Sequence, residues 1–173
     1  AAVVKRDVLE TGESAFYECG NLLSIDIPSG IEKIGETAFG ECSELTSVSL
    51  PESVKEIGEM AFFSCEKLSK VSLLDGLTTI GGYAFKACSS LTEIVIPDSV
   101  TTIGRAAFVN CVGFTGNLTI GNSVTTIEED AFYGCSGLTG NLTIPNRVTT
   151  IGVSAFNGCT HLTGNLTIPN SVT

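Results

Sequence analysis

A repeat of 23 or 24 residues runs through almost the whole chain and constrains the fold more than any other feature. The dipeptide Ala-Phe occurs seven times, from Ala15-Phe16 to Ala155-Phe156. A cysteine stands three residues after each of these Phe, and this one slot holds every cysteine of the chain: Cys19, Cys42, Cys65, Cys88, Cys111, Cys135 and Cys159. Self-similarity at a fixed period of this length is typical of solenoids.

The residues before each Ala-Phe dipeptide predict two short strands per repeat. In the repeat that ends at Cys65, residues 48–50 alternate between inward and outward positions, which is the period of a strand with one buried face. Pro51 lacks a backbone donor and ends this strand. A second, shorter extended piece follows, with apolar residues at Val54 and Ile57.

Each repeat closes with a turn and a short compact segment. Gly58 allows a sharp turn, for which we predict a positive φ. The Ala61-Phe62-x-x-Cys65 segment that follows is too short for a stable free helix. We therefore predict a single helical turn that packs on the neighbouring repeats.

A single unit of this length cannot bury its own apolar side, whereas stacked units place all of their apolar slots in one continuous core. We therefore predict an α/β repeat solenoid, right-handed, with short second strands and short helical turns. It forms one domain over residues 1–173, with about seven repeats. Its parallel first strands would contain Ile25, Val48, Val71, Ile94, Leu118, Leu142 and Leu166.

The repeat register extends to both ends of the chain, where its apolar slots hold Ala2, Val4, Val8, Leu166, Ile168 and Val172. Neither end shows the polar capping unit that solenoids need for solubility. We therefore expect a fragment of a longer array, cut within a repeat at both ends. The alternative is that a neighbouring molecule covers the ends, which would give end-to-end self-association.

The repeat pattern L-x-x-(V/I)-x-(L/I)-P-x-x-V-x-x-I-G-x-x-A-F-x-x-C resembles that of the BspA-like leucine-rich repeat proteins of bacterial surfaces. The resemblance implies a curved solenoid with a parallel β-sheet on its concave side. It also implies a role in cell-surface adhesion and host-protein binding. Single positions depart from the pattern: Thr11 in an Ile slot, Leu74 and Gly121 in the Pro slot, and Glu128 in the Gly slot.

Composition and charge exclude several classes of protein. Apolar residues make up 43% of the chain, which is enough for a core and too much for a disordered tail. Nineteen acidic residues against nine basic ones give a net charge of −10, so no basic stripe is left for a nucleic-acid partner. The chain has no continuous apolar run of about 18 residues, and we expect no membrane insertion.

The cysteines are predicted to form a structural ladder of small buried residues whose S–H groups face loop carbonyls. Occasional disulfides or a redox use are the alternatives. Metal ligands would need closer spacing or a His partner, yet neighbouring cysteines are at least 23 residues apart. The single histidine, His161, occupies a variable slot that we expect to be solvated. We therefore expect no catalytic, metal or cofactor site, and no enzyme.

Three Asn-Leu-Thr sequences begin at Asn117, Asn141 and Asn165. In a secreted eukaryotic protein, such sequences would suggest glycans. All three occupy the same repeat slot, on a strand whose next residue belongs to the core. We therefore interpret them as a stacked ladder of amides.

Two columns of residues point outwards from the predicted first strands. In the first half of the chain these columns are mixed and charged, and we take them as the candidate partner-facing surface: Ser24, Asp26, Ser47, Ser49, Lys70, Ser72, Glu93 and Val95. In the second half they hold only Asn and Thr: Asn117, Thr119, Asn141, Thr143, Asn165 and Thr167. The chain has no Trp, so an aromatic binding platform is not expected.

Two functions fit these observations. The first is a non-enzymatic, extracellular protein-binding or adhesion module on a bacterial cell surface, with a host or matrix protein as its partner. The second is a passive structural spacer that displays another domain, which the uniform Asn and Thr columns favour. In the first case we expect a weak, salt-sensitive interaction at residues 22–98.

Overall fold

The computed structural model describes residues 9–173, and its architecture is a stack of repeating coils. The apolar slots assigned above to Ala2, Val4 and Val8 lie outside the described residues. Nine short strands are present in the described chain: β1 (Ser24–Asp26), β2 (Lys33–Ile34), β3 (Ser47–Ser49), β4 (Glu56–Ile57), β5 (Lys70–Val71), β6 (Thr79–Ile80), β7 (Thr102–Ile103), β8 (Thr126–Ile127) and β9 (Thr150–Ile151).

The strands form two parallel sheets, each built from equivalent positions of successive repeats. The first sheet has the order β1-β3-β5, and Ile25, Val48 and Val71 pair in register at its centre. The second sheet has the order β2-β4-β6-β7-β8-β9. Each of its strands ends in an Ile that faces the core or its edge, because the repeat places an apolar residue there every 23 or 24 positions.

The first sheet is shorter than the sequence predicts. Ile94, Leu118 and Leu142 are buried without regular strand structure, Leu166 in the last coil is exposed, and isolated bridges such as Val95–Thr119 replace the ladder. In the later repeats the extra residue brings in a glycine with positive φ, which interrupts the extended backbone. These glycines are Gly116 (φ 91°), Gly140 (φ 73°) and Gly164 (φ 89°).

The predicted helical turns are wrong: residues 9–173 contain no helix, so the class is a parallel β-solenoid rather than α/β. The physical reason is that left-handed residues stand just before each Ala and just before each Cys. In one repeat they are Tyr83 (φ 56°) and Ala87 (φ 58°). A left-handed residue breaks the run of right-handed dihedrals that an α-helix requires.

Backbone hydrogen bonding within the Ala-Phe segment alternates between two partners. The N–H of Ala84 and that of Lys86 donate to carbonyls three residues earlier in the same repeat. The N–H groups of Tyr83, Phe85 and Ala87 instead donate to carbonyls of the following repeat, at 2.8 Å. The segment is therefore a third ladder that joins the coils, built from turns instead of strands.

The glycine that precedes the Ala-Phe segment is explained by close packing. Gly58 does not have a positive φ, contrary to the prediction. A Cβ at this position would lie 2.8 Å from the carbonyl oxygen of Ile34 in the preceding repeat. Glu128 occupies the same slot in a later repeat, where its Oε2 accepts a hydrogen bond of 2.8 Å from the N–H of Arg105.

One continuous core runs along the stack. Successive Phe rings of the Ala-Phe slot lie nearly parallel, with centroids 5.1 Å to 5.4 Å apart from Phe16 to Phe156. The apolar slots of both strand regions surround this column. Among the described residues, no charged or polar side chain is buried, which leaves the outer faces to bear the chemistry of the molecule.

Candidate functional site

The outward face of the first sheet exposes all eight candidate partner-facing residues. Strand pairing aligns Ser24 with Ser47 and Ser47 with Lys70, which forms one column. It also aligns Asp26 with Ser49 in the second column. Ser72, Glu93 and Val95 continue the columns beyond the last regular strand, and all of them are exposed.

A cleft of about 290 Å³ opens on this face where the first sheet stops. Four of the eight candidate residues meet there, together with two apolar residues of the preceding repeat. The cleft is lined by Lys70, Val71, Ser72, Leu73, Glu93 and Val95.

The cleft coincides with a gap in the backbone ladder. The N–H of Thr92 donates to the carbonyl of Ser69 at 3.3 Å, and that of Ile96 donates to the carbonyl of Thr119 at 3.0 Å. Between these bonds, in the part of the chain that the structure describes, residues 70–73 form no backbone hydrogen bond with residues 93–95. The gap therefore leaves main-chain groups of both repeats at the cleft.

Sequence reasoning missed the apolar floor of the cleft. Leu73 is only half-buried, whereas Leu50 and Ile96 in the same slot are 9% and 1% exposed. The one sequence signal here is Leu74, which replaces the proline that follows the other two residues. Val95, at the opposite wall, is 49% exposed.

Lys70 and Glu93 form no ion pair within residues 9–173, although they occupy the same column in adjacent repeats. Most other basic side chains bind an acid of a neighbouring repeat; the pairs are Lys33–Glu56, Lys55–Glu32, Lys67–Glu44 and Arg105–Glu129, at 2.7 Å to 3.2 Å. Lys86 lies over the Tyr83 ring, 5.6 Å from its centroid. Lys70 and Arg147 are the described bases without such a partner.

The cysteine slot lies on the inner side of the Ala-Phe segment. Cys42, Cys65, Cys88, Cys111 and Cys135 are buried, Cys159 is half-buried, and Cys19 is exposed; all seven are free thiols. Each Sγ from Cys42 onwards donates to the carbonyl of the Phe in the preceding repeat, at 3.0 Å to 3.2 Å. Burial raises the pKa of the Cys65 thiol to about 12.

The other residues singled out by the sequence have surface positions. Nδ1 of His161 lies 2.6 Å from the carbonyl oxygen of Ser136, on an exposed edge. Asn117 and Asn141 are exposed, and their Oδ1 atoms lie against the glycines Gly140 and Gly164 of the following repeats. No hydrogen bond joins these amides to each other in the described chain, in contrast to the predicted amide ladder.

Two further properties concern the chain as described, from residue 9 onwards. Its structure has no helix long and apolar enough to cross a membrane. Nor does it bring three His, Cys, Asp or Glu side chains together as ligands for a metal ion.

The stacked coils, parallel sheets and outward strand columns define a solenoid of the leucine-rich repeat class. Residues 10–139 and 138–173 match the model of the BspA type leucine-rich repeat region, in six copies. The chain belongs to this family. The resemblance drawn from the repeat pattern is thereby confirmed.

Solved structures of bacterial leucine-rich repeat proteins are similar to the chain. One from Bacteroides ovatus is 37% identical, with a TM-score of 0.87, over 96% of this chain and 42% of its own. A leucine-rich repeat protein of T. pallidum is 32% identical, with a TM-score of 0.82, over 90% of this chain and 72% of its own.

A leucine-rich cell surface protein from Faecalibacterium prausnitzii is 35% identical, with a TM-score of 0.80, over 91% of this chain. The chain spans 42% of that protein's length, as it does for the Bacteroides ovatus protein. No curated protein sequence matches the chain.

Proposed function

We propose that the chain is a non-enzymatic protein-binding module that acts in adhesion on a bacterial cell surface. The observation that supports this most is the outward face of the first sheet and of the repeat beyond it, where charged, polar and apolar side chains lie exposed in adjacent columns. A rigid surface loses little conformational entropy when a partner binds. The similar protein from Faecalibacterium prausnitzii, described as a cell surface protein, supports the location.

The partner class follows from charge. The chain has a net charge of −10, and Asp26 and Glu93 are exposed on the candidate face. Such a surface attracts basic proteins at long range and is screened by salt. The proposed partner is therefore a basic matrix or serum protein of the host.

A passive spacer is the second candidate function. The later outward columns favour it, because Asn117, Asn141, Thr119 and Thr143 repeat the same two side chains. A uniform polar surface of this kind offers few features by which one partner can be distinguished from another.

Reversing two charges tests the binding function. We expect Asp26→Lys with Glu93→Lys to weaken binding to basic matrix and serum proteins by about tenfold or more, since each change replaces attraction by repulsion. Surface plasmon resonance against a panel of purified proteins, at about 50 mM and 300 mM salt, gives the affinities and their salt dependence.

The matched control is Glu52→Lys with Asp75→Lys, which makes the same change in net charge on exposed residues outside the two columns. If both double variants lose affinity equally, only net charge matters and the face is not the site. If no protein of the panel binds the unaltered chain, the spacer function is favoured.

A further inference from the structure

The gap in the first sheet is a local departure from a regular repeat. Every neighbouring pair of repeats from β1 to β5 is joined by strand pairing on this face, and pairing returns at Val95 and Thr119. Between β5 and residues 93–95 the pairing is absent, within a repeat of the ordinary 23 residues. The glycine insertions that interrupt later strands therefore do not explain it.

The cleft at this gap has the size and lining of a pocket for side chains. Its volume of about 290 Å³ lies near the lower limit of ligand pockets, which suits one or two side chains and excludes a whole domain. Leu73 on the floor and Val95 on the wall are partly exposed apolar groups. An apolar side chain placed between them would remove this surface from water.

The rim of the cleft has two charges of opposite sign. Lys70 and Glu93 are exposed and unpaired in the described structure, whereas four other bases are bound to acids of adjacent repeats. An acid of a partner can therefore bind Lys70 without breaking an existing pair, and a base can bind Glu93. Rim charges of this kind set the orientation of a bound segment, and reversal of one of them replaces attraction by repulsion.

We propose that this cleft, lined by Lys70, Val71, Ser72, Leu73, Glu93 and Val95, binds an extended peptide segment of a protein partner that presents an apolar side chain between a basic and an acidic one. The apolar side chain contacts Leu73 and Val95, the acid binds Lys70, and the base binds Glu93. This proposal rests on the proposed function and specifies where on the chain the protein partner binds.

Short synthetic peptides test the cleft directly. Six heptapeptides contain Lys, Leu and Glu in every order at positions 2, 4 and 6, which lie on one face of an extended segment, with Gly and Thr at the other positions. Each is titrated to several millimolar into the ¹⁵N-labelled chain and followed by NMR. We expect a peptide with Leu between Lys and Glu to bind with a Kd on the order of 1 mM, as suits a contact of this size, and those with Leu at an end to bind more weakly. The chemical-shift changes should concentrate at residues 70–73 and 93–95.

Two variants with matched controls locate the contacts. Lys70→Glu should weaken the binding of the best peptide about tenfold. It should have little effect on a version of that peptide in which the peptide's own Glu is replaced by Gln. Arg147→Glu alters the other unpaired base and should change the affinity for neither peptide. Val95→Asp should abolish binding. Val112→Asp is its matched control, because Val112 is 48% exposed and Val95 49%, and it should leave binding unchanged because Val112 does not line the cleft. Far-UV circular dichroism verifies that each variant is folded.

The outcomes separate this site from the general function. If no peptide with Leu between Lys and Glu shifts residues 70–73 or 93–95, or if those with Leu at an end bind as tightly, the cleft proposal is overturned. If a protein of the panel binds and neither Lys70→Glu nor Val95→Asp weakens it, the cleft proposal is overturned while the binding function stands. If the panel gives no binding, the binding function fails, and the peptide titrations still decide the cleft.

Discussion

At the scale of single residues, the buried cysteines combine an apolar environment with a fixed hydrogen-bond partner. Cys65 and Cys88 have no exposed surface, and their S–H groups donate to Phe39 and Phe62. Burial raises the pKa of Cys159 to about 11 and that of Cys88 well above its ordinary value of 9.0. Since the thiolate is the reactive form, these side chains are protected by both access and protonation state.

The raised pKa values predict a loss of stability in alkali. A folded thiol keeps its proton where the unfolded thiol, with a pKa near 9, has lost it, so the unfolded state binds fewer protons. The cysteine contribution is complete below about pH 9 and declines as the pH rises toward the folded pKa, about 12 for Cys65. We expect the urea midpoint to fall steadily between pH 8.5 and 10.5.

Cys88→Ala and Cys19→Ala form the control pair for this pH series. Cys88→Ala removes one buried thiol, so the urea midpoint should fall less steeply with pH, by the contribution of one cysteine. Cys19→Ala alters an exposed thiol and should leave this pH dependence unchanged. Reaction with a soluble thiol reagent gives an independent check. If Cys88 reacts as fast as Cys19 in the native chain, the slot is not protected.

Repeat spacing predicts which residues are inward, but not their backbone conformation. The slots of Phe85 and Cys88 follow from apolar residues that recur at fixed intervals, and both are buried. The left-handed positions hold residues as different as Met60, Tyr83 and Asn110, so no residue type marks them. Packing against the neighbouring coils, rather than local propensity, sets φ at these positions.

At the scale of the element, the Ala-Phe segment exchanges local strain for bonds between coils. A left-handed conformation costs a residue with a side chain about 1–2 kcal/mol. In return, the N–H groups of Tyr83, Phe85 and Ala87 donate to the next repeat at 2.8 Å. Two later repeats place Gly134 (φ 70°) and Gly158 (φ 80°) in the Ala87 slot, which avoids the strain.

Glycine at this slot should therefore stabilise the chain. We expect Ala87→Gly to raise the free energy of unfolding by about 0.5–1 kcal/mol, because relief of the left-handed strain exceeds the greater entropy of an unfolded glycine. Ala84→Gly is the matched control, and it should destabilise because Ala84 is buried with an ordinary negative φ. Urea denaturation measures both; a loss of stability in Ala87→Gly contradicts the strain argument.

The sequence predicts the positions of the strands better than their lengths. The alternation around Val48 correctly identifies β3, and the same argument places Ile94 inward, where it is 4% exposed. It cannot predict that Ile94 lies outside a strand, because pairing depends on how closely two coils approach. The cleft lies where this pairing is absent, so the sequence identified the outward residues Lys70 and Glu93 but missed the partial exposure of Leu73.

At the scale of the whole molecule, stability is transmitted from each repeat to its neighbours. Phe85 is fully buried and stacks on Phe62 and Phe108, at 5.4 Å and 5.3 Å between centroids. In a solenoid of this kind, interfaces between adjacent repeats supply much of the total stability. A cavity in the middle of the column therefore affects the interfaces on both sides of it.

Truncation of the central ring measures this coupling. We expect Phe85→Ala to cost about 3–5 kcal/mol, the usual range for emptying an aromatic core site. Phe63→Ala is the control, since Phe63 is only half-buried and stacks on Tyr17 at the surface, 6.2 Å between centroids. Chemical denaturation should show a much smaller loss for this variant; a cost below about 1 kcal/mol for Phe85→Ala would mean that the column does not hold the repeats together.

The turn ladder also has an electrical polarity. In the Ala-Phe segments, three N–H groups of each repeat donate to the following repeat, as those of Ser14, Phe16 and Glu18 do to Glu36, Ala38 and Gly40. Aligned peptide dipoles add, as in a helix, but here the positive end points toward later repeats, which is the reverse of the helical sense. The dipole of this ladder grows with every stacked repeat, whereas bonds elsewhere in the coil, such as Gly58 N–H to Ile34 and Thr46 N–H to Leu23, run to the preceding repeat and oppose it.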